Sequence, residues 1–159
     1  MIYVAVGTQK FQFDRLLKII DKLIENGLVK DEVFAQIGYS KYQPVNYSYK
    51  EFLSKKEFDE YIIKCNLLIT HSGVATIMAG LKYNKPIVVM PRLAKYKEHV
   101  DDHQVQIAEA FTSKNFVLKC DENDNLYNLI TEVKNHKFDQ YISQNEFIIS
   151  TIRDYIKTI

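Results

Sequence analysis

The sequence predicts an α/β fold built on a parallel sheet flanked by helices. Two observations carry this. Strand-like apolar runs and helix-period segments alternate from end to end of the 159 residues, the usual mark of a parallel sheet. The clearest passage, Leu67 to Gln104, reads as strand, glycine turn, helix, strand and polar loop, a single βαβ unit. Its two polar clusters are Thr70-His71-Ser72-Gly73 and Glu98-His99-Val100-Asp101-Asp102-His103-Gln104. Both would open at the carboxyl ends of adjacent strands, the rim where α/β folds place nucleotides.

Each element follows from local pattern. Ile2 to Val6 reads as a buried first strand, with Gly7-Thr8 as the turn leaving it. Phe13, Leu16, Leu17, Ile20, Leu23 and Ile24 keep helical spacing, and Gly27 ends that helix. Val33 to Ile37 is a second strand closed by Gly38. The tyrosine-rich stretch Tyr39 to Tyr49 is an irregular loop with one short strand. Ser54 with Glu57 makes a capping box for a helix that carries Phe58, Tyr61, Ile62 and Cys65 on one face. A strand at Leu67 follows, then a helix from about Gly73 to Lys82 that turns Val74, Ile77, Met78 and Leu81 inward. Next come a strand at Ile87, a helix from Asp101 to Thr112, a short strand over Phe116 to Leu118, and a helix marked by Leu126, Leu129, Ile130 and Val133. The apolar stripe Tyr141, Ile142, Ile148, Ile149, Ile152, Tyr155, Ile156 and Ile159 marks a last helix, at about 139–158. It packs on its own sheet or docks another subunit.

Composition bounds the function. An apolar fraction of 47% with 26% charged residues is that of one globular domain. A net charge of +1 gives no global attraction for nucleic acid or acidic membrane. Cys65 and Cys120 stand far apart without CxxC spacing, which suits a reduced cytoplasmic protein. No apolar run reaches the roughly 20 residues that cross a bilayer, and the start of the chain is too short and wrongly flanked for a signal peptide.

The clusters carry the chemistry. A helix N-terminus presents unpaired N–H groups and partial positive charge, so the turn His71-Ser72-Gly73 can hold a phosphate without metal. Gly73 permits close approach, while Ser72 donates to a phosphate oxygen or simply caps the helix. Gly7-Thr8 faces the same crevice. Asp101 and Asp102 suit a helix start, but the density of donors and acceptors from His99 to Gln104 suits a polyhydroxyl ligand such as a sugar. Arg92, Lys95, Lys97 and His99 make the intervening loop cationic, a source of counter-charge for a diphosphate. His99, Asp101 and His103 echo an H-x-H-x-D-H zinc motif with its middle histidine missing. Ser72 lacks a G-x-S-x-G elbow, and G-x-G-x-x-G is absent.

These residues resemble the C-terminal, donor-binding domain of family-28 glycosyltransferases, a Rossmann-like domain equivalent to the C-terminal half of a GT-B enzyme. The resemblance rests on Gly7-Thr8 with Phe13-Asp14-Arg15-Leu16, Thr70-His71-Ser72-Gly73, Pro91-Arg92, and Glu98 to Gln104. It runs most closely to small stand-alone subunits of two-component enzymes in bacterial exopolysaccharide and capsule synthesis. These are similar to the soluble subunit of the eukaryotic transferase that adds N-acetylglucosamine to a dolichol-linked acceptor. By resemblance, Gly7, Thr8, His71, Ser72, Gly73 and Arg92 would hold a UDP diphosphate. Asp101, Asp102, His103 and Gln104 would face the donor sugar, and His103, Asp102 and His71 are the catalytic candidates. The resemblance implies metal-independent, inverting transfer of a hexose (galactose, N-acetylglucosamine or glucuronate) from a UDP-sugar, with no cofactor. The acceptor, a lipid-linked sugar, would be held by a membrane-anchored partner that recruits this cytoplasmic chain, with the last helix and the tyrosine-rich loop as docking candidates. Several relatives carry a ribose-binding acid where this chain has Ala79. That departure leaves a second expectation open, a non-catalytic nucleotide-sugar-binding module that regulates another transferase.

Overall fold

A computed structural model describes residues 1–142. Six parallel strands form one sheet in the order β3-β2-β1-β4-β5-β6. They are β1 (Ile2–Ala5), β2 (Val33–Gln36), β3 (Ser48–Lys50), β4 (Leu67–Thr70), β5 (Ile87–Val89) and β6 (Leu118–Lys119). The helices are α1 (Asp14–Glu25), α2 (Lys55–Lys64), α3 (Val74–Lys82), α4 (His103–Thr112) and α5 (Leu126–Glu132). β1 and β4 are neighbours, and the chain proceeds outward from them in opposite directions. This is the switch point of a doubly wound sheet, where the loops on either side diverge and leave a crevice.

Both faces of the sheet are covered, so its central strands read as continuous apolar runs. Side chains alternate between the two faces at period two. Val4, Ala35 and Ile69 meet α1 and α5 on one side; Tyr3, Phe34, Leu68 and Val89 meet α2, α3 and α4 on the other. Gly80 lets α3 lie close to the sheet: a methyl group there would stand 2.8 Å from both Ile87 Cδ1 and Leu68 Cδ2.

The expected helix ends are present at two places. Ser54 and Glu57 form the reciprocal capping box of α2. Gly27, at φ +69°, closes α1 with its N–H donating to Ile24 O at 2.9 Å while Leu28 N–H donates to Leu23 O at 3.0 Å, the paired bonds of a Schellman stop. Other boundaries differ. α4 starts at His103 rather than Asp101, and the last strand lies at Leu118–Lys119 rather than over Phe116 to Leu118. Val74 is 48% exposed and does not join the inward face of α3. The helix expected from about residue 139 does not include residues 139–142, which are irregular. The rest of that expected helix lies outside the described residues.

The tyrosine-rich loop is pinned to α1 by Asp21. Its carboxylate accepts from Tyr42 Oη at 2.6 Å and from the N–H groups of Val45 and Asn46, both at 2.8 Å. Tyr47 Oη donates to Leu17 O. Two tyrosines of the proposed docking loop are therefore committed to their own domain, while Tyr39 is exposed. Burial pushes the Asp21 carboxyl up, yet these donors together hold it below its ordinary value. A depressed folded pKa stabilises above the unfolded value and is lost as pH falls through the folded one. Asp21→Asn should therefore lower stability near pH 7 and flatten its decline on acidification below about pH 4. Thermal unfolding from pH 3 to 7 checks this; an unchanged acid slope would rule it out.

Candidate active site at the switch point

A crevice of about 320 Å³ opens at the carboxyl ends of β1 and β4. Gly7, Thr8 and Gln9 form one wall, His71 to Thr76 another, and His99, His103, Gln104 and Ile107 a third. The strand order thus brings both polar clusters and the Gly7-Thr8 turn to one place. A second cavity of about 340 Å³ adjoins it across Gly7, Thr8, Ala75 and Thr76, with Leu53, Phe58 and Ala79 as apolar lining and Gln36 and Lys55 beside them.

His71 organises the first two walls. Thr70 Oγ1 donates to Ala5 O at 2.6 Å, and His71 Nδ1 lies 3.3 Å from the same carbonyl. A carbonyl only accepts, so Nδ1 carries the proton and Nε2 the lone pair. Burial, reinforced by the Arg92 charge and by His99, pushes the imidazole down to about 4 against the opposing bond to Ala5 O. His71 is neutral at pH 7. Its ring fills the space between two glycines: a methyl group on Gly73 would sit 2.2 Å from Nε2, and one on Gly7 2.7 Å from it. Gly7 also needs its left-handed backbone, at φ +84°.

Ser72 does not cap α3. Gly73 occupies the N-cap position without any side-chain bond, and the fully buried Ser72 Oγ has no partner. Buried hydroxyls are nearly always bonded, and among the described residues this one is not. Beside it, the first-turn N–H groups of Val74 and Ala75 lack intrahelical acceptors by the geometry of any helix start.

The second cluster divides its labour differently from the sequence expectation. Asp102 stands at the N-cap of α4, but its carboxylate turns back to accept Ala94 N–H at 2.7 Å. Asp101 takes both imidazoles, with His103 Nδ1 at 2.9 Å and His99 Nδ1 at 3.1 Å from Oδ1. His103 is the first cause of the lowered Asp101 pKa. The polar atoms of this trio lie within 4.8 Å of one another, close enough to share a cation were both rings to lose their Nδ1 protons. Gln104 lines the crevice and accepts Arg92 N–H at 3.1 Å. Neither Asp101 nor Asp102 lines it.

Arg92 is the clearest departure. Its guanidinium is fully buried beneath the crevice, donating to Val6 O at 2.7 Å and Phe11 O at 3.1 Å. Burial lowers it to about 10, with Glu98 opposing, so it keeps its charge. Lys95 pairs with Glu122. Of that cationic loop only His99 reaches the crevice, whose lining contains neither Arg nor Lys. Positive potential there comes from the start of α3. Phe11, its ring tilted against His99 with centroids 4.9 Å apart, and the Arg15–Glu98 pair, its carboxylate buried, also shape the site. Neither partnership had a sequence signal, because the residues joined are more than 80 apart.

A parallel doubly wound sheet with an orphan serine at a helix start and a histidine-rich wall across the crevice defines a nucleotide-type binding domain. The profile of the glycosyltransferase family 28 C-terminal domain matches residues 1–159, and the chain belongs to that family. Its first 95-residue match among characterised proteins is to the UDP-N-acetylglucosamine transferase subunit ALG13 of Candida albicans, at 28% identity over 60% of this chain. The chain spans 27% of that relative's length. The solution structure of ALG13 superposes with a TM-score of 0.59 at 19% identity, covering 91% of this chain and 90% of that one. The glycotransferase of kitacinnamycin gives 0.63 at 17% identity over 83% and 34% of the two chains. MurG of Acinetobacter baumannii gives 0.57 at 16% over 84% and 41%. At these identities the superpositions establish the fold, that of one domain of a GT-B glycosyltransferase. Among the described residues no helix is long and apolar enough to cross a membrane.

Proposed function

We infer that the chain is the donor-binding, catalytic part of a UDP-sugar glycosyltransferase that moves a hexose onto a lipid-linked acceptor in exopolysaccharide or capsule synthesis. The observation that carries this reading is the unpartnered Ser72 hydroxyl at the start of α3, in a crevice lined by neither Arg nor Lys. The diphosphate lies on Ser72, the α3 amides and the Gly7-Thr8 turn, where backbone dipoles stabilise the departing UDP. His103 and Gln104 face the sugar. The apolar adjoining cavity takes the nucleoside, with Phe58 and Leu53 as its walls, and leaves Ala79 without a ribose contact. Arg92 acts from below, by fixing the carbonyls of Val6 and Phe11 on either side of the turn.

One domain offers half of a two-sided cleft, and its rim supports a facing partner. Tyr39, Phe52, Val74 and Val100 are exposed beyond the carboxyl ends of four strands, with Val100 at 74% and Tyr39 edge-on to Phe52. A membrane-anchored acceptor-binding protein would cover this rim and recruit the chain to the cytoplasmic face. A regulatory module would bind the same nucleotide without turnover.

Calorimetric titration with UDP, with UMP and NAD as controls and chelator present, tests the reading. Selective UDP binding is expected, and Ser72→Ala should weaken it about 10-fold, the worth of one good hydrogen bond to a charged group. Equal binding of UMP, or an unaltered Ser72→Ala variant, would remove the diphosphate site.

A further inference from the structure

We propose that Gln36 reads the nucleoside: its side-chain oxygen accepts from the ribose hydroxyls of the donor nucleotide, so the site favours nucleotides whose ribose diol is intact. This inference rests on the donor-binding reading above and gives a residue to the nucleoside, which that reading leaves in a largely apolar cavity.

Gln36 is the polar end of an otherwise apolar strand, Val33-Phe34-Ala35-Gln36. Its backbone is fixed between β1 and β3, in register with Ala5 and Lys50. By the period of two it shares the sheet face of Phe34, the face that meets α2 and α3. The residue is 3% exposed, and a polar side chain so buried needs partners.

The amide nitrogen has two. Nε2 donates to Gly7 O and to Glu51 O, both at 3.0 Å. Both partners are carbonyls, which only accept, so turning the amide over would set its oxygen against theirs. The two hydrogens are therefore used within the domain. The oxygen, Oε1, accepts no hydrogen bond from the described residues.

That free acceptor belongs to the second cavity, of about 340 Å³, which Gln36 lines with Gly7, Leu53, Phe58, Thr76 and Ala79. No acidic side chain lines this cavity, and its Lys55 only donates. Gln36 Oε1 is thus its dedicated side-chain acceptor. A uridine nucleotide offers it two ribose hydroxyls or the one N–H of uracil. Covalent order decides between them. The ribose is bonded directly to the diphosphate, which lies on the Gly7-Thr8 turn. Gly7 and Thr8 line both cavities, and the Gln36 amide is itself bonded to Gly7 O. Its oxygen therefore meets the ribose, and the base extends beyond it towards Leu53 and Phe58. An amide oxygen has two lone pairs, so one atom can serve both hydroxyls of a cis diol.

Calorimetry with UDP, 2′-deoxy-UDP and 3′-deoxy-UDP tests the assignment, with Gln36→Leu beside the parent chain. The parent should bind at least one analogue about 5- to 10-fold more weakly than UDP, the usual effect of one hydrogen bond. Gln36→Leu should bind UDP more weakly, and for it the same analogue should come within about 2-fold of UDP. A purely structural role, exerted through Gly7 O and Glu51 O, would lower every affinity together and keep the analogue's penalty; that result would overturn the inference. Equal binding of UDP and both analogues by the parent would also overturn it, while leaving the diphosphate site standing. Should Gln36→Leu fail to fold, carbon-13 NMR of the parent chain decides. The Gln36 side-chain carbonyl should shift with saturating UDP and shift less with the weaker analogue, and identical shifts would count against the assignment. A parent chain that binds no UDP would remove the donor-binding reading and this inference together.

Discussion

Replacing Gly73 by alanine is expected to destabilise the domain by about 1–3 kcal/mol, the usual range for forcing a methyl group into filled space. The backbone is not the reason. Gly73 sits at φ −76° and ψ 116°, which alanine adopts without strain. The whole cost comes from His71, whose Nε2 would stand 2.2 Å from the new carbon. His71 cannot retreat without breaking its bond to Ala5 O. The same displacement would disturb Ser72, so UDP affinity should fall with stability. A double-mutant cycle isolates the clash: once His71→Ala has removed the ring, adding Gly73→Ala should cost little, with a coupling of about 1 kcal/mol or more. Strictly additive effects in chemical denaturation would show that Gly73 is needed for another reason. Gly7→Ala should behave differently. Its φ of +84° penalises any side chain, so removing His71 should relieve only part of its cost.

The second large effect is expected at Arg15, outside the crevice. Its guanidinium grips Glu98 through Nε–Oε1 and Nη2–Oε2, both at 2.9 Å, and also donates to Pro91 O at 2.9 Å. Glu98 is fully buried. Arg15→Ala leaves that carboxylate with Leu93 N–H as its remaining partner, and stranding a buried charge costs about 3–5 kcal/mol. For a domain of this size the melting temperature should drop by roughly 6–20 °C, at 2–4 °C per kcal/mol. Arg15→Met combined with Glu98→Leu should recover much of the loss, since an apolar pair of similar volume needs no charge compensation. A single Arg15→Ala variant that melts within about 2 °C of the parent would mean that the pair contributes little.

These two residues show where sequence reading stops. The α1 stripe at Leu16, Leu17, Ile20 and Leu23, the capping box at Ser54, and the glycine stop at Gly27 all emerge in the structure as expected. Each is a relation among residues within one or two helical turns, so the local spacing contains it. Placement of the two polar clusters at one rim was legible too. The βαβ passage from Leu67 forces β4 and β5 side by side and parallel, and both clusters then follow carboxyl ends.

Which way the polar side chains turn was not legible. Ser72 could have capped α3, Asp102 could have capped α4 with its carboxylate, and Arg92 could have faced a diphosphate. Each possibility is locally sound; neither cap is realised, and Arg92 lies buried. A polar side chain goes to whichever partner the sheet order brings within about 3 Å. For Arg92 that partner is Val6 O, 86 residues away, and for Arg15 it is Glu98, 83 residues away. By itself the sequence determined the strands, the helix faces and the family motifs at the switch point, because apolar period and turn chemistry are local. Only the tertiary structure decided that His71 would be neutral, Ser72 unpaired, Arg92 buried and His103 held by Asp101. Hydrogen bonding and burial depend on loops that meet only when β1 and β4 pair.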